Sequence, residues 1–343
     1  MSVGCHHLAA TPATVHWGYF DQRLEPVLVV QSGDLVRVET LTHHAGDAPD
    51  LLMDDGIARV FEEVQDRGPG PHLLTGPIAV AGAEPGDTLQ VDILALDIRL
   101  PYGSNLAGHW GRLYEDFGKE RVTIFELDPA AMQARASFAY DWTTTALVDR
   151  PGTIVPPESV KRQSALENVV VPLRPHFGTM GLAPAVPGRT SSVPPGDHGG
   201  NIDNWRIGAG ARMHYPVQVA GGLLSIGDPH VSQGDGELSG TALEASLSGL
   251  IRLTVRRELS IPAPVLETTH ELFVHGFGDD LDEAMDAAAH RTLDLLGTRF
   301  GLSRDDAYAF ASVAVDFTVT QVVDTRQGVH GRIDKRSFPF HRL

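Results

Sequence analysis

The chain has 343 residues, 42% of them hydrophobic and 21% charged, the balance of a globular protein with a sizeable core. Its 44 acidic against 27 basic residues give a net charge of −17, which argues against a nucleic-acid partner. The single cysteine, Cys5, excludes an internal disulfide, and no apolar run approaches the roughly 18 residues a membrane helix needs. With no targeting segment visible, a soluble cytoplasmic protein with no membrane partner is expected.

Residues 14–20, 26–30 and 35–41 read as short strands, the last with period-two alternation after a Ser-Gly-Asp turn at 32–34. The polar stretch 43–70 contains a helical patch at 57–65; His43 and His44, like His6 and His7, are expected in solvent. Strands at 73–80 and 88–96, joined by a proline/glycine turn, complete an all-β opening third. Residues 101–118 are aromatic and glycine-rich and predict a long irregular loop, with strands resuming at 121–127 and 135–140. Two glycine/proline-dense stretches follow, at 176–184 and 194–204.

Near the C-terminus, Asp280 or Asp282 caps a long helix that Gly297 or Gly301 stops, and Ser303 caps a shorter one over 305–313. A strand is predicted at 315–322. The fold class is therefore mainly β, with β-sandwich (jelly-roll-like) and barrel-like pieces and a smaller α+β part near the C-terminus. Three segments packed as one unit are expected: a β-rich part over 1–170, a glycine-loop β part over 171–265 and an α+β part over 266–343.

Chemistry concentrates in residues 227–244, where Asp228, His230, Asp235 and Glu237 are interleaved with glycines. Apolar runs at 217–226 and 243–255 flank it, so a polar loop on two buried strands is predicted. The G-x-S-x-G, P-loop and H-E-x-x-H signatures are absent, and Cys5 lies too near a terminus to suit thiol catalysis. What remains is an acid/histidine set in three glycine-rich loops: His176; Asp197, His198, Asn201 and Asp203; and residues 228–237. Imidazole and carboxylate donors together suit zinc or a similar divalent ion. Each also has a plainer reading. His198 beside two glycines suits a backbone-bonded turn histidine, Asp228 before Pro229 a turn residue, and Asp197, Asn201 and Asp203 a structural calcium loop in a ligand-binding β-sandwich.

Several stretches carry a resemblance: Thr11-Pro-Ala-Thr-Val-His-Trp-Gly-Tyr-Phe, the turn Ser32-Gly-Asp, residues 74–89, Pro175-His-Phe-Gly-Thr-Met-Gly-Leu-Ala-Pro, Gly199-Gly-Asn-Ile-Asp, and Leu224-Ser-Ile-Gly-Asp-Pro-His-Val-Ser-Gln-Gly-Asp-Gly-Glu. Together they resemble the acetamidase/formamidase family over about 11–330. The resemblance implies hydrolysis of a short aliphatic amide to ammonia and a carboxylate by a homo-oligomer with a divalent metal, zinc or alternatively calcium. On that reading His198, Asp228 and His230 hold the metal, and Glu237, with Asp235 and Asp203, handles protons. Asn201, His176 and Gly200 contact substrate. The 43–47 stretch departs from the family's usual acidic pattern, so an amide other than acetamide or formamide, a urea- or guanidine-like molecule, or a lyase substrate stays open.

Overall fold

A computed structural model describes residues 3–142 and 151–339. Two large sheets carry the fold, and neither closes into a barrel among the described residues. The nine-stranded sheet runs, in spatial order, Cys5–Leu8, Leu35–Thr40, Leu247–Arg256, Thr88–Ile98, Arg212–Pro216, Val265–Glu267, Glu271–Gly278, Gln327–Asp334 and Val315–Val319. It draws strands from every third of the chain. The second sheet runs Val171–Pro172, Gln133–Trp142, Glu120–Asp128, Tyr102–Ala107, Leu243–Glu244, Leu224–Ser232, His176–Gly181 and Gly199–Asn201. Leu73–Val80 joins this sheet on Leu224–Ser232 and carries two short strands, Val15–Trp17 and Leu28–Val30.

The sheets bury their facing sides against each other. Val36, Val38, Val91, Ile251 and Leu253 of the first meet Ile78, Phe177, Met180, Leu224 and Ile226 of the second in one continuous core. Leu35–Thr40 alternates as its sequence predicts, because it has one buried face. Leu224–Ser232 is buried at all nine positions, with strands on both edges and cover on both faces. Such a strand carries no period-two signal.

The helices follow their caps. Asp280 accepts from the Glu283 backbone N–H at the start of Leu281–Phe300, and Gly301 ends that helix in left-handed backbone. Ser303 caps Arg304–Ala314 in the same way, and Asp54 caps Asp55–Glu63. The long helix packs on Glu271–Gly278 so closely that a side chain at Gly276 would collide with the backbone of Ala284 and Ala288. The irregular loop expected over 101–118 is instead a strand, Tyr102–Ala107, and a short helix, Tyr114–Phe117. Pairing with Glu120–Asp128 supplies the backbone partners that glycine-rich sequence could not advertise.

Candidate active site

The strand Leu224–Ser232 is the axis of the site. Asp228 and His230 lie within it, not in the predicted loop, and are 3% and 1% exposed. Strand pairing places Phe177 opposite Pro229 and Thr179 opposite Gly227, so Gly178 falls beside Asp228. A Cβ at Gly178 would lie 2.5 Å from His230 Cε1, 2.6 Å from Asp203 Oδ1 and 2.8 Å from Asp228 Oδ2. Glycine there keeps open the one space these three side chains share.

Around that space the buried groups converge. Asp228 Oδ2 lies 3.2 Å from His230 Nε2 and 3.6 Å from His72 Nε2, and its Oδ1 lies 3.6 Å from His43 Nδ1. Glu244 Oε1 approaches the same His230 Nε2 at 3.2 Å. On its other side, His230 Nδ1 faces Gln233 Oε1 at 3.2 Å and His176 Nε2 at 3.1 Å. An amide oxygen only accepts, so His230 donates its Nδ1–H there and turns Nε2 toward two carboxylates. Gln233 is itself held by its Nε2–H donating to the Asp203 carbonyl at 2.7 Å. Asp203, Glu237 and Asp324 form a second carboxyl group beside this one.

Burial and crowding set the charges. His43, His72 and His176 are pushed below the ordinary imidazole range chiefly by burial, His176 to about 3, and stay neutral. Burial opposes charge on both Asp228 and His230, but their mutual attraction, with Glu244 beside them, overcomes it, so Asp228 is held well below the carboxylate range and His230 well above the imidazole range. Asp203 is raised to about 7 by burial, while burial and the neighbouring carboxyls hold Glu237 and Asp324 well above their usual range. Buried carboxyls this close need a positive charge or protons among them. Among the described residues, four overlapping sets could share a cation, each with donor atoms within 4.8 Å of one another: His43, His72 and Asp228; Asp203, Asp228 and His230; His230, Glu237 and Glu244; and Asp203, Glu237 and Asp324. Within them His43 Nδ1, Asp203 Oδ1, Asp228 Oδ1, His230 Nε2, Glu237 Oε2 and Glu244 Oε2 are buried without a hydrogen-bond partner. This mixed nitrogen and oxygen donor set suits a divalent ion.

Of the residues singled out in the sequence, Asp203, Asp228, His230 and Glu237 meet here, with His176 directly behind His230. Asn201 takes the Thr179 hydroxyl one layer away, and Gly200 sits in the adjoining strand Gly199–Asn201. Two expected members stand apart. His198 packs edge-on to Phe20 at 5.0 Å, is lowered to about 4 by burial, and belongs to none of the four sets. Asp235 turns outward to Arg206 at 2.8 Å and Trp205 Nε1 at 2.9 Å.

Sequence reasoning missed His72, Glu244, Asp324 and Gln233. It also placed His43 and His44 in solvent, whereas His44 is 3% exposed and the His43 side chain 9%. The Thr42 cap starts a short 3₁₀ turn, His43–Asp47, that turns both rings inward. Asp47 holds His44 Nδ1 at 3.0 Å and accepts from Ser104 at 2.6 Å. The doubled histidine next to a buried Asp was the available signal, but only the fold brings His43 to Asp228, far away in sequence.

A model of the acetamidase/formamidase family matches residues 7–188 and 186–330. The chain belongs to that family. It is a hydrolase of amide C–N bonds, as the names of its relatives agree. It is 29% identical over 310 residues to a formamidase of Methylophilus methylotrophus, covering 76% of this chain and 71% of that one. Over 201 residues it is 33% identical to an acetamidase of Mycolicibacterium smegmatis, 49% of each chain. The fold matches that of a predicted acetamidase/formamidase from Thermoanaerobacter tengcongensis with a TM-score of 0.79 over the whole of both chains, at 24% identity.

Proposed function

We propose that the chain cleaves a short aliphatic amide of the acetamide or formamide type to ammonia and a carboxylate, at a divalent cation held in the buried cluster. Asp228 and His230, with His43 and His72, would hold the ion. The observation that carries this is the His230 Nε2 turned between the Asp228 and Glu244 carboxylates, an arrangement a cation relieves. When bound, such an ion polarises the amide carbonyl and makes water a better nucleophile near neutral pH.

The chain's own groups do the remaining work. Glu237 takes a proton from the attacking water and passes it to the amide nitrogen, since ammonia leaves poorly unless protonated. Burial and the neighbouring Asp203 hold its carboxyl above the usual carboxylate range, the direction in which acid–base carboxyls are tuned. His176 and Gln233 fix the His230 ring, as partners behind a liganding histidine usually do. Substrate enters by a cavity of about 310 Å³ that reaches Gln233 and Glu237 from outside.

An ammonia-release screen of formamide, acetamide, propionamide and urea tests the reading, run before and after chelation with metal add-back. Release from the amides, lost on chelation and restored by zinc, is the expected result. Full turnover in protein shown metal-free by elemental analysis would overturn the metal assignment; no ammonia from any amide would overturn the activity.

A further inference from the structure

Asp203 stands in left-handed backbone at φ 47°, and its carboxyl belongs to two of the four donor sets. Backbone of that kind persists only where its surroundings over-determine it. Two restraints act on the peptide groups of Asp203 itself. Its N–H donates to the Gly178 carbonyl at 3.3 Å, and its carbonyl accepts from Gln233 at 2.7 Å. A third acts through the next residue, Asn204, which is 1% exposed.

The partners of Asn204 fix which way its amide points. Oδ1 faces the Arg206 backbone N–H at 3.2 Å and Arg206 Nη1 at 3.4 Å, groups that only donate, so the oxygen belongs there. Nδ2 then lies between two imidazole nitrogens, His275 Nε2 at 3.1 Å and His330 Nδ1 at 3.2 Å. A carbonyl only accepts, so His275 donates its Nδ1–H to Pro264 at 3.1 Å and keeps Nε2 as an acceptor. The amide gives one hydrogen to each ring, and His330 carries its own proton on Nε2. Burial keeps both rings uncharged, as this arrangement requires: His275 is lowered to about 4 and His330 well below the imidazole range.

The two histidines face each other across neighbouring strands of the nine-stranded sheet, Glu271–Gly278 and Gln327–Asp334. Arg291 of the long helix donates to the His275 carbonyl at 3.0 Å and to Asp197 at 2.7 Å, tying that strand to the segment that leads into Asn204. We infer that Asn204 is a positioning residue, whose clamp between His275 and His330 holds Asp203 in the strained backbone that aims its carboxyl into the cluster with His230, Glu237 and Asp324. The effect on rate rests on the amide hydrolysis proposed above; the restraint on Asp203 does not.

Two variants test it. Asn204→Ala removes both donated hydrogens. His330→Leu removes one acceptor together with an Nε2–H that is buried without a partner, so it keeps the fold where the first does not. Misplacing a group by about 1 Å costs about 10²-fold, so kcat for the best amide should fall about 10–10²-fold in Asn204→Ala and several-fold in His330→Leu. KM should change less than about twofold and metal content should hold, since the loss falls on the reacting geometry and not on binding. A lower melting temperature with kcat intact would make the role one of stability alone and overturn the inference. In an Asp203→Asn background, Asn204→Ala should cost less than about threefold, because the group it positions is already gone; a full additional loss overturns it too. Crystal structures read the restraint without turnover: in Asn204→Ala, Asp203 should leave left-handed backbone or shift its carboxyl by about 1 Å. An unmoved Asp203 overturns the inference whether or not the enzyme is active. A moved Asp203 in a protein whose wild type cleaves no amide upholds the restraint and overturns only the amidase reading.

Discussion

Asp203, Asp228 and Glu237 hold φ of 47°, 49° and 47°, backbone that residues with a Cβ enter at a cost of about 1–3 kcal/mol each. Three strained carboxylates in one cluster mean that local stability has been spent to aim them. Substitutions should show which of them move protons and which hold metal. Glu237→Gln keeps the side chain's size and one acceptor oxygen, so metal content should survive while kcat falls about 10²–10⁴-fold. His230→Ala should lose both metal and rate; His43→Ala and His72→Ala should lower metal occupancy at a fixed free-ion concentration, measured by elemental analysis. A Glu237→Gln protein that is active but metal-free would make Glu237 a ligand. Gly178→Ala should put a methyl into the shared space and weaken metal uptake even in folded protein; undiminished metal content in that variant would mean the cation sits elsewhere.

At the scale of elements, the long helix Leu281–Phe300 is tied to the sheet by a charged knot outside the site. Glu267, in the strand Val265–Glu267, meets His214 at 2.9 Å, Lys335 at 2.9 Å and Arg299 of the long helix at 3.4 Å. Burial opposes ionisation of Glu267, but hydrogen bonds from His214 and Lys335 overcome it and hold the carboxyl far below its usual range. His214 is lowered too, chiefly by burial. Both folded values are depressed, so both contributions are present above the unfolded values, about 4.3 for Glu and 6.5 for His. They are lost as pH falls below those values. The melting temperature should therefore begin to fall below about pH 6.5 as the His214 contribution is lost, and fall further below about pH 4.3 as that of Glu267 is lost; Glu267→Gln should start lower and flatten the limb below about pH 4.3. An unaltered slope in that variant would move the acid sensitivity to other groups.

Across the whole molecule, the site joins distant parts of the chain. His43 and His72 come from the first quarter, Asp203 to Glu244 from the middle, and Asp324 from the C-terminal region, where burial and its neighbours Asp203 and Glu237 hold its carboxyl well above the usual range. A cation here would bind the folded chain and not the unfolded one. It should thus stabilise by mass action, about 2.7 kcal/mol at a hundred times its dissociation constant. Chelation should lower the melting temperature of the entire protein in one transition, with zinc add-back restoring it. A melting temperature indifferent to metal would argue against a cation linking these segments.

Much of this was legible beforehand where the cause is local. The helix caps at Asp280 and Ser303, the stop at Gly301 and the alternation of residues 35–40 depend on neighbours within a few positions, so the sequence alone determined them. The Asp228, His230, Glu237 and Asp203 set could also be read, because glycines crowd polar donors there and the family motifs coincide with them. His198 and Asp235 had the same local look, yet one faces Phe20 and the other pairs with Arg206. Membership in the site follows from register, not composition. Asp228 and His230 sit in a strand buried on every side, where periodicity is silent. His43, His72, Glu244 and Asp324 reach them only because strands far apart in sequence are neighbours in one sheet, or loops folded over it. Those contacts are long-range, and no window of sequence contains both partners; only the tertiary structure decided them.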